Sequence, residues 1–245
     1  MARTFLAFTA DEIGQYLQSC PVARVIKAVT YHHTYRPNQS QWRGRASMEA
    51  IWRYDTQQRP ERMRDIAADF YIGPDGLIWV GRPLSDRQGA HAYITRDPIP
   101  SWANGDRQWL NRHAVGIEHV GDFDGPDRVT EPQRQASLAL VRALQRRFGP
   151  LRLTFHREAA YKTCPGQHFP GLDQWRAWLA AGSEPGPDLA LDEVWLELDG
   201  QRLIERGRLF QNRVYLPARA LEHLGYTLEW VGSNRTLHIR SGSDS

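Results

Sequence analysis

Cysteine is scarce in this chain: Cys20 and Cys164 are the only two among 245 residues, so no disulfide framework holds it together. Lysine is equally rare, since 29 of the 31 basic residues are arginine and only Lys27 and Lys162 are not. No apolar run approaches the roughly 18 residues that cross a bilayer, so membrane insertion is not expected. No basic run exists either. The net charge of +3 is spread along the chain, with +4 over residues 1–188 and −1 over 189–245, which leaves nucleic acid little to hold. Near the N-terminus only residues 5–8 are apolar before Thr9, Asp11 and Glu12 intervene, shorter than the apolar core of a signal peptide, so export by that route is not expected. What is present is globular: 41% hydrophobic and 24% charged residues, which excludes wholesale disorder.

The stretch AAGSEPGPD at 180–188 interrupts periodic sequence with small residues, two Pro and two Gly, and reads as a linker. It separates a first domain, 1–179, from a smaller module, 189–241. In the first domain, Thr9 and Glu12 form a capping-box pattern for a helix to about Leu17. Strands are predicted over 25–34, 114–120 and 151–155, helices over 46–54 and 131–148, and a hairpin over 66–72 and 77–80 around Gly73-Pro74-Asp75-Gly76. Strands alternating with helices predict an α/β fold, a central mixed β-sheet flanked by helices. The second module carries strand signals at 194–199, 201–204, 227–231 and 236–240 and a helix signal at 216–224, the pattern of a small α+β domain.

Metal-capable side chains concentrate in Tyr31-His32-His33-Thr34, Phe155-His156-Arg157-Glu158 and Lys162-Thr163-Cys164-Pro165-Gly166, each at or just after a predicted strand end. A catalytic zinc takes three protein ligands and keeps a fourth position open. One of His32 and His33, with His156 and Cys164, supplies such a set; adjacent strand residues face opposite ways, so only one of the pair can serve, and spacing does not choose. The plain alternatives are hydrogen-bonded structural histidines and an inert thiol. Lys162, two residues before Cys164 in a chain that otherwise uses arginine, offers a compact ammonium suited to one oxyanion.

The segments VTYHHTYRP, DIAADFYIGPDGLIWVGRPL, GAHA, AVGIEHVGDFD and TFHREAAYKTCPG, in that order over residues 20–175, resemble the zinc-dependent N-acetylmuramoyl-L-alanine amidases of type 2, the family of phage endolysins, bacterial amidases and peptidoglycan recognition proteins. The resemblance implies His32, His156 and Cys164 as zinc ligands, Lys162 beside the substrate carbonyl, and Glu118 as the carboxylate that activates water. It implies bacterial peptidoglycan as substrate, cleaved between N-acetylmuramic acid and L-alanine. It also implies a protein held in the cytoplasm until it is released to act at the bacterial cell wall, in line with the missing signal peptide. Many members carry GYHF where this chain has Ala67-Ala68-Asp69-Phe70, so a tyrosine is replaced by Ala68. That shifts the general-base role toward Glu118, with Asp69 the second choice for it and a substrate-side group, or else an arginine partner. His91, in GAHA, is implied as a substrate contact.

Residues 194–240 resemble the small copper amine oxidase N-terminal-like domain, an accessory of cell-wall proteins. With only His223 and His238 available there, no copper site is expected. Two other outcomes compete: a recognition module that binds muropeptide without cutting it, against which Cys164 speaks, and a structural zinc or a Cys20–Cys164 disulfide.

Overall fold

A computed structural model describes residues 3–181 in full and, beyond them, the backbone of five strands. The chain divides into two compact units, Met1–Ala180 and Ala181–Ser245. The first contains β1 (Ala7–Phe8), α1 (Ile13–Ser19), β2 (Ala28–His33), α2 (Arg45–Arg53), a π-helical turn (Tyr54–Gln58), β3 (Phe70–Ile72), β4 (Ile78–Val80), α3 (Trp109–His113), β5 (Ala114–His119), α4 (Glu131–Phe148), β6 (Arg152–Phe155), α5 (His156–Ala159) and α6 (Leu172–Ala181). Its sheet has six strands in the order β1-β4-β3-β5-β2-β6. The four from β3 to β6 are parallel, while β4 and β1 run antiparallel at one edge. This is the mixed sheet flanked by helices that the alternation of elements predicts.

Period-2 alternation sorts the central strands into two faces. Val29 and Tyr31 of β2 and Val115 and Ile117 of β5 turn into the main apolar cluster with Leu140, Val141 and Leu144 of α4. Each of those α4 side chains is fully buried, a contribution of about 1.5–3 kcal/mol apiece. The alternate residues Ala28, Thr30 and His32, with Ala114, Gly116 and Glu118, face the other way, and that face carries the candidate site.

Helix α4 is anchored where it starts. The Thr130 hydroxyl accepts from the Gln133 N–H and the Gln133 side chain accepts from the Thr130 N–H, both at 3.2 Å, a full capping box. The Gln133 amide then donates to the carbonyls of Ile72 and Val120, tying the helix to β3 and the end of β5. The box expected at Thr9 forms only in half: the Thr9 N–H and hydroxyl both donate to the Glu12 carboxylate, and the helix begins at Ile13. The expected strand over 66–72 is shortened to β3, because Ala67 donates to the Asp55 carboxylate and Ala68 to the Tyr71 hydroxyl rather than to a neighbouring strand. The turn to β4 closes through Gly73 and Gly76, the latter at φ +81°. Both cysteines are free, so the competing Cys20–Cys164 disulfide does not form; Cys20 is buried under Arg147, whose guanidinium reaches its sulfur at 3.1 Å.

In the second unit, β7 (Asp192–Leu198), β8 (Gln201–Phe210) and β9 (Arg213–Tyr215) form one antiparallel sheet, and β10 (Tyr226–Val231) pairs with β11 (Thr236–Ser241) in another. The helix expected at 216–224 and the linker beyond Ala181 lie outside the described residues. Among the described residues no helix is long and apolar enough to cross a membrane.

Candidate metal centre

The carboxyl ends of parallel strands are where an open α/β sheet offers a crevice. His32 sits near the end of β2, His156 immediately follows β6, and Cys164 stands on the loop after α5. Parallel pairing of β2 with β6, Tyr31 opposite Phe155, brings residues 124 positions apart into contact: His32 Nδ1 lies 3.2 Å from His156 Nδ1. Cys164 Sγ lies 3.7 Å from the same His32 nitrogen. The three ligand atoms all fall within 4.8 Å of one another.

Strand parity selects between the neighbouring histidines. His33 turns away, its ring stacked at 6.1 Å on Phe123 and its Nδ1 accepting from the Phe123 N–H. The ligand candidate is therefore His32, as the resemblance implies.

The two distances from His32 fit a tetrahedral ion. Nitrogen ligands at about 2.0–2.1 Å and a sulfur at about 2.3 Å place two nitrogens about 3.3 Å apart and a nitrogen and sulfur about 3.6 Å apart. The donor set itself, two imidazoles and a thiolate, is one that zinc accepts. Burial disfavours charge on every member: it pushes His32 well below the usual histidine range, His156 down to about 3, and the Cys164 thiol up to about 12. Two neutral imidazoles are ready to coordinate, and the thiol must give up a proton to do so. The positive charge of Lys162 acts on all three, opposing imidazolium and favouring thiolate; its side chain is exposed beside them.

The loop that presents Lys162 and Cys164 is held from β5's far end. Thr163 donates to the Asp124 carboxylate at 2.5 Å, and the Gln167 N–H donates to it at 2.9 Å.

Glu118 stands on β5 directly opposite His32 in register, half-buried, with Tyr71 of β3 on its other side. It borders a cavity of about 270 Å³ whose wall includes Arg36, Tyr54, Asp55, Arg59 and Tyr71. Burial, then the charge of Asp55, pushes the Glu118 carboxyl up to about 8. Asp55, Tyr71 and Asp124 escaped sequence reasoning. Asp55 lies in the π-helical turn, a local winding often found at functional sites that no apolar period announces; Tyr71 could have been found by carrying strand parity across from Glu118.

Two residues expected to touch substrate are placed beneath the surface. Asp69 is 0% exposed, accepts from Arg24 at 2.6 Å and from the Gly116 N–H at 2.8 Å, and is thus the arginine partner of the plain reading. His91 is 7% exposed, behind His32, with both ring nitrogens engaged within the protein.

The parallel strands and the histidine–histidine–cysteine cluster at their carboxyl ends define an α/β protein with a candidate metal centre. Residues 22–167 match the family described as N-acetylmuramoyl-L-alanine amidase, and the chain belongs to that family. Among solved structures it is similar to the endolysine N-acetylmuramoyl-L-alanine amidase LysCS from Clostridium intestinale, with 26% identity over 64% of this chain and 86% of that one and a TM-score of 0.48. It is similar also to bumblebee PGRP-SA, 23% identical over 64% and 84% of the two chains with a TM-score of 0.49, and to Drosophila PGRP-LB, 23% identical over 66% and 83% with a TM-score of 0.47. No curated protein matches the sequence.

Proposed function

We propose that this protein is a zinc-dependent peptidoglycan hydrolase that cleaves the amide between N-acetylmuramic acid and L-alanine, as an endolysin or a wall-remodelling amidase. The observation that carries the reading is the triangle of His32 Nδ1, His156 Nδ1 and Cys164 Sγ, whose edges of 3.2 and 3.7 Å suit one tetrahedral ion. A bound zinc ion supplies Lewis acidity at an open position and makes water acidic enough to serve as the nucleophile near neutral pH. Glu118, on the same sheet face and in register with His32, takes the proton from the attacking water. Its raised value, about 8, means that the ionised form, which takes the water's proton, gains as pH rises toward 8, and that the proton once taken is held until it passes to the departing alanine amine. Lys162, exposed on the Cys164 loop, holds the negative charge that develops on the carbonyl oxygen. The residues 189–241 would serve as an accessory module that keeps the enzyme near the wall.

Incubation with purified peptidoglycan in zinc-containing buffer is expected to release new N-terminal alanine on the stem peptides. Cys164→Ser should lose both zinc and turnover, by more than the ~100-fold typical of outer-shell losses. Stoichiometric muropeptide binding without release, unchanged by Cys164→Ser, would instead make the protein a recognition module.

A further inference from the structure

We infer that His91 is a positioning residue that fixes the tautomer of His32 and so decides which of its nitrogens is offered to a metal; the inference rests on the zinc reading above. The argument is one of proton counting. His91 Nε2 lies 3.3 Å from the Ala114 carbonyl oxygen, which can only accept, so the proton of the neutral His91 ring resides on Nε2. His91 Nδ1 is then a bare lone pair, and it lies 3.2 Å from His32 Nε2. That contact requires the His32 proton on Nε2, which leaves His32 Nδ1 unprotonated toward His156 and Cys164. Each link has one self-consistent assignment, and the chain of donors ends on backbone that cannot rotate.

The seat of His91 is built for this. Its ring stands on Gly116, where an added Cβ would lie 2.5 Å from the His91 Cγ, so only glycine at this position of β5 admits it. The Gly116 N–H is in turn held by Asp69, itself paired with Arg24. The loop that carries His91 is pinned on both sides by Asn111 of α3, whose carbonyl accepts from Gly89 at 2.7 Å and whose side chain accepts from Ala92 at 2.9 Å. A metal-bound histidine commonly has its outer nitrogen fixed by a carboxylate or carbonyl; here a second imidazole stands between the ligand and the carbonyl.

The test uses the full chain with its histidines labelled with ¹⁵N. In the metal-free wild-type protein, the His32 ring is expected as the Nε2–H tautomer. His91→Leu should yield a mixture of tautomers and zinc affinity lowered about 10–100-fold in chelator competition. His91→Asn, which restores an acceptor near His32 Nε2, should recover most of the affinity. His32 protonated on Nδ1 in the wild type, or zinc bound equally well by His91→Leu and wild type, would overturn the inference. Failure of the wild-type protein to bind zinc would sink the metal reading separately, and the wild-type tautomer decides the matter even if His91→Leu does not fold.

Discussion

His32 and His119 stand on adjacent strands, one position out of register, and have opposite surroundings. His32 faces the open side of the sheet, where its two ring nitrogens meet His91, His156 and Cys164. His119 faces α4, 0% exposed among Tyr31, Phe169 and Trp175, and neither ring nitrogen has a hydrogen-bond partner. One step along a β-strand thus separates a histidine placed for coordination from one packed as an aromatic filler. The residue type does not decide the chemistry; the face and its neighbours do.

The largest effect that sharpens this contrast belongs to the open face. Glu118→Gln should reduce hydrolysis by about 10²–10⁴-fold while zinc content, measured by metal analysis, stays at the wild-type level. An equal loss of metal would show that Glu118 shapes the site rather than moves protons.

Asp69→Ala breaks the open face from below. It strands the buried Arg24 guanidinium and frees the Gly116 N–H, a loss of about 3–5 kcal/mol in urea unfolding. A substrate-contact role would raise KM and leave stability unchanged.

On the apolar face, burial holds His119 neutral in the folded protein, down to about pH 3. The unfolded chain takes up that proton near the ordinary value of 6.5, so stability falls as pH drops from about 6.5 toward 3, by about 1 kcal/mol per pH unit from this residue. His119→Phe should flatten the acid limb by one proton's slope and leave zinc binding intact, as urea titrations at pH 7 and pH 5 would register. The smallest effect expected is at the helix that covers this face: Thr130→Ala removes half of a capping box and should cost about 1 kcal/mol.

Much of the architecture is legible in residue order. Helix α4 spans the residues at which its apolar period places it, and the strands expected over 25–34, 114–120 and 151–155 match β2, β5 and β6 to within a few residues. The cluster is legible in part as well, since the His32–His33 pair, His156 and Cys164 each stand at or just after a strand end. What sequence order hides is depth. Asp69 and His91 carry the side chains expected of substrate contacts, yet Gly116 leaves room for a ring and Arg24 supplies a charge partner, and both arrive from distant segments. The choice between His32 and His33 needs the parity of a whole strand, which neither residue carries by itself. The Thr9–Glu12 pattern misleads for a related reason: three residues of turn precede α1, and the carboxylate takes both local donors first.

An ion held by residues 32, 156 and 164 would act as a clip across a loop of more than 120 residues. Closing so long a loop is entropically costly for the free chain, so such a clip couples opposite ends of the unit and resists opening of either. A chain still emerging from the ribosome without β6 would own one of the three donors. The three-donor site would therefore be complete only after the final parallel strand has paired.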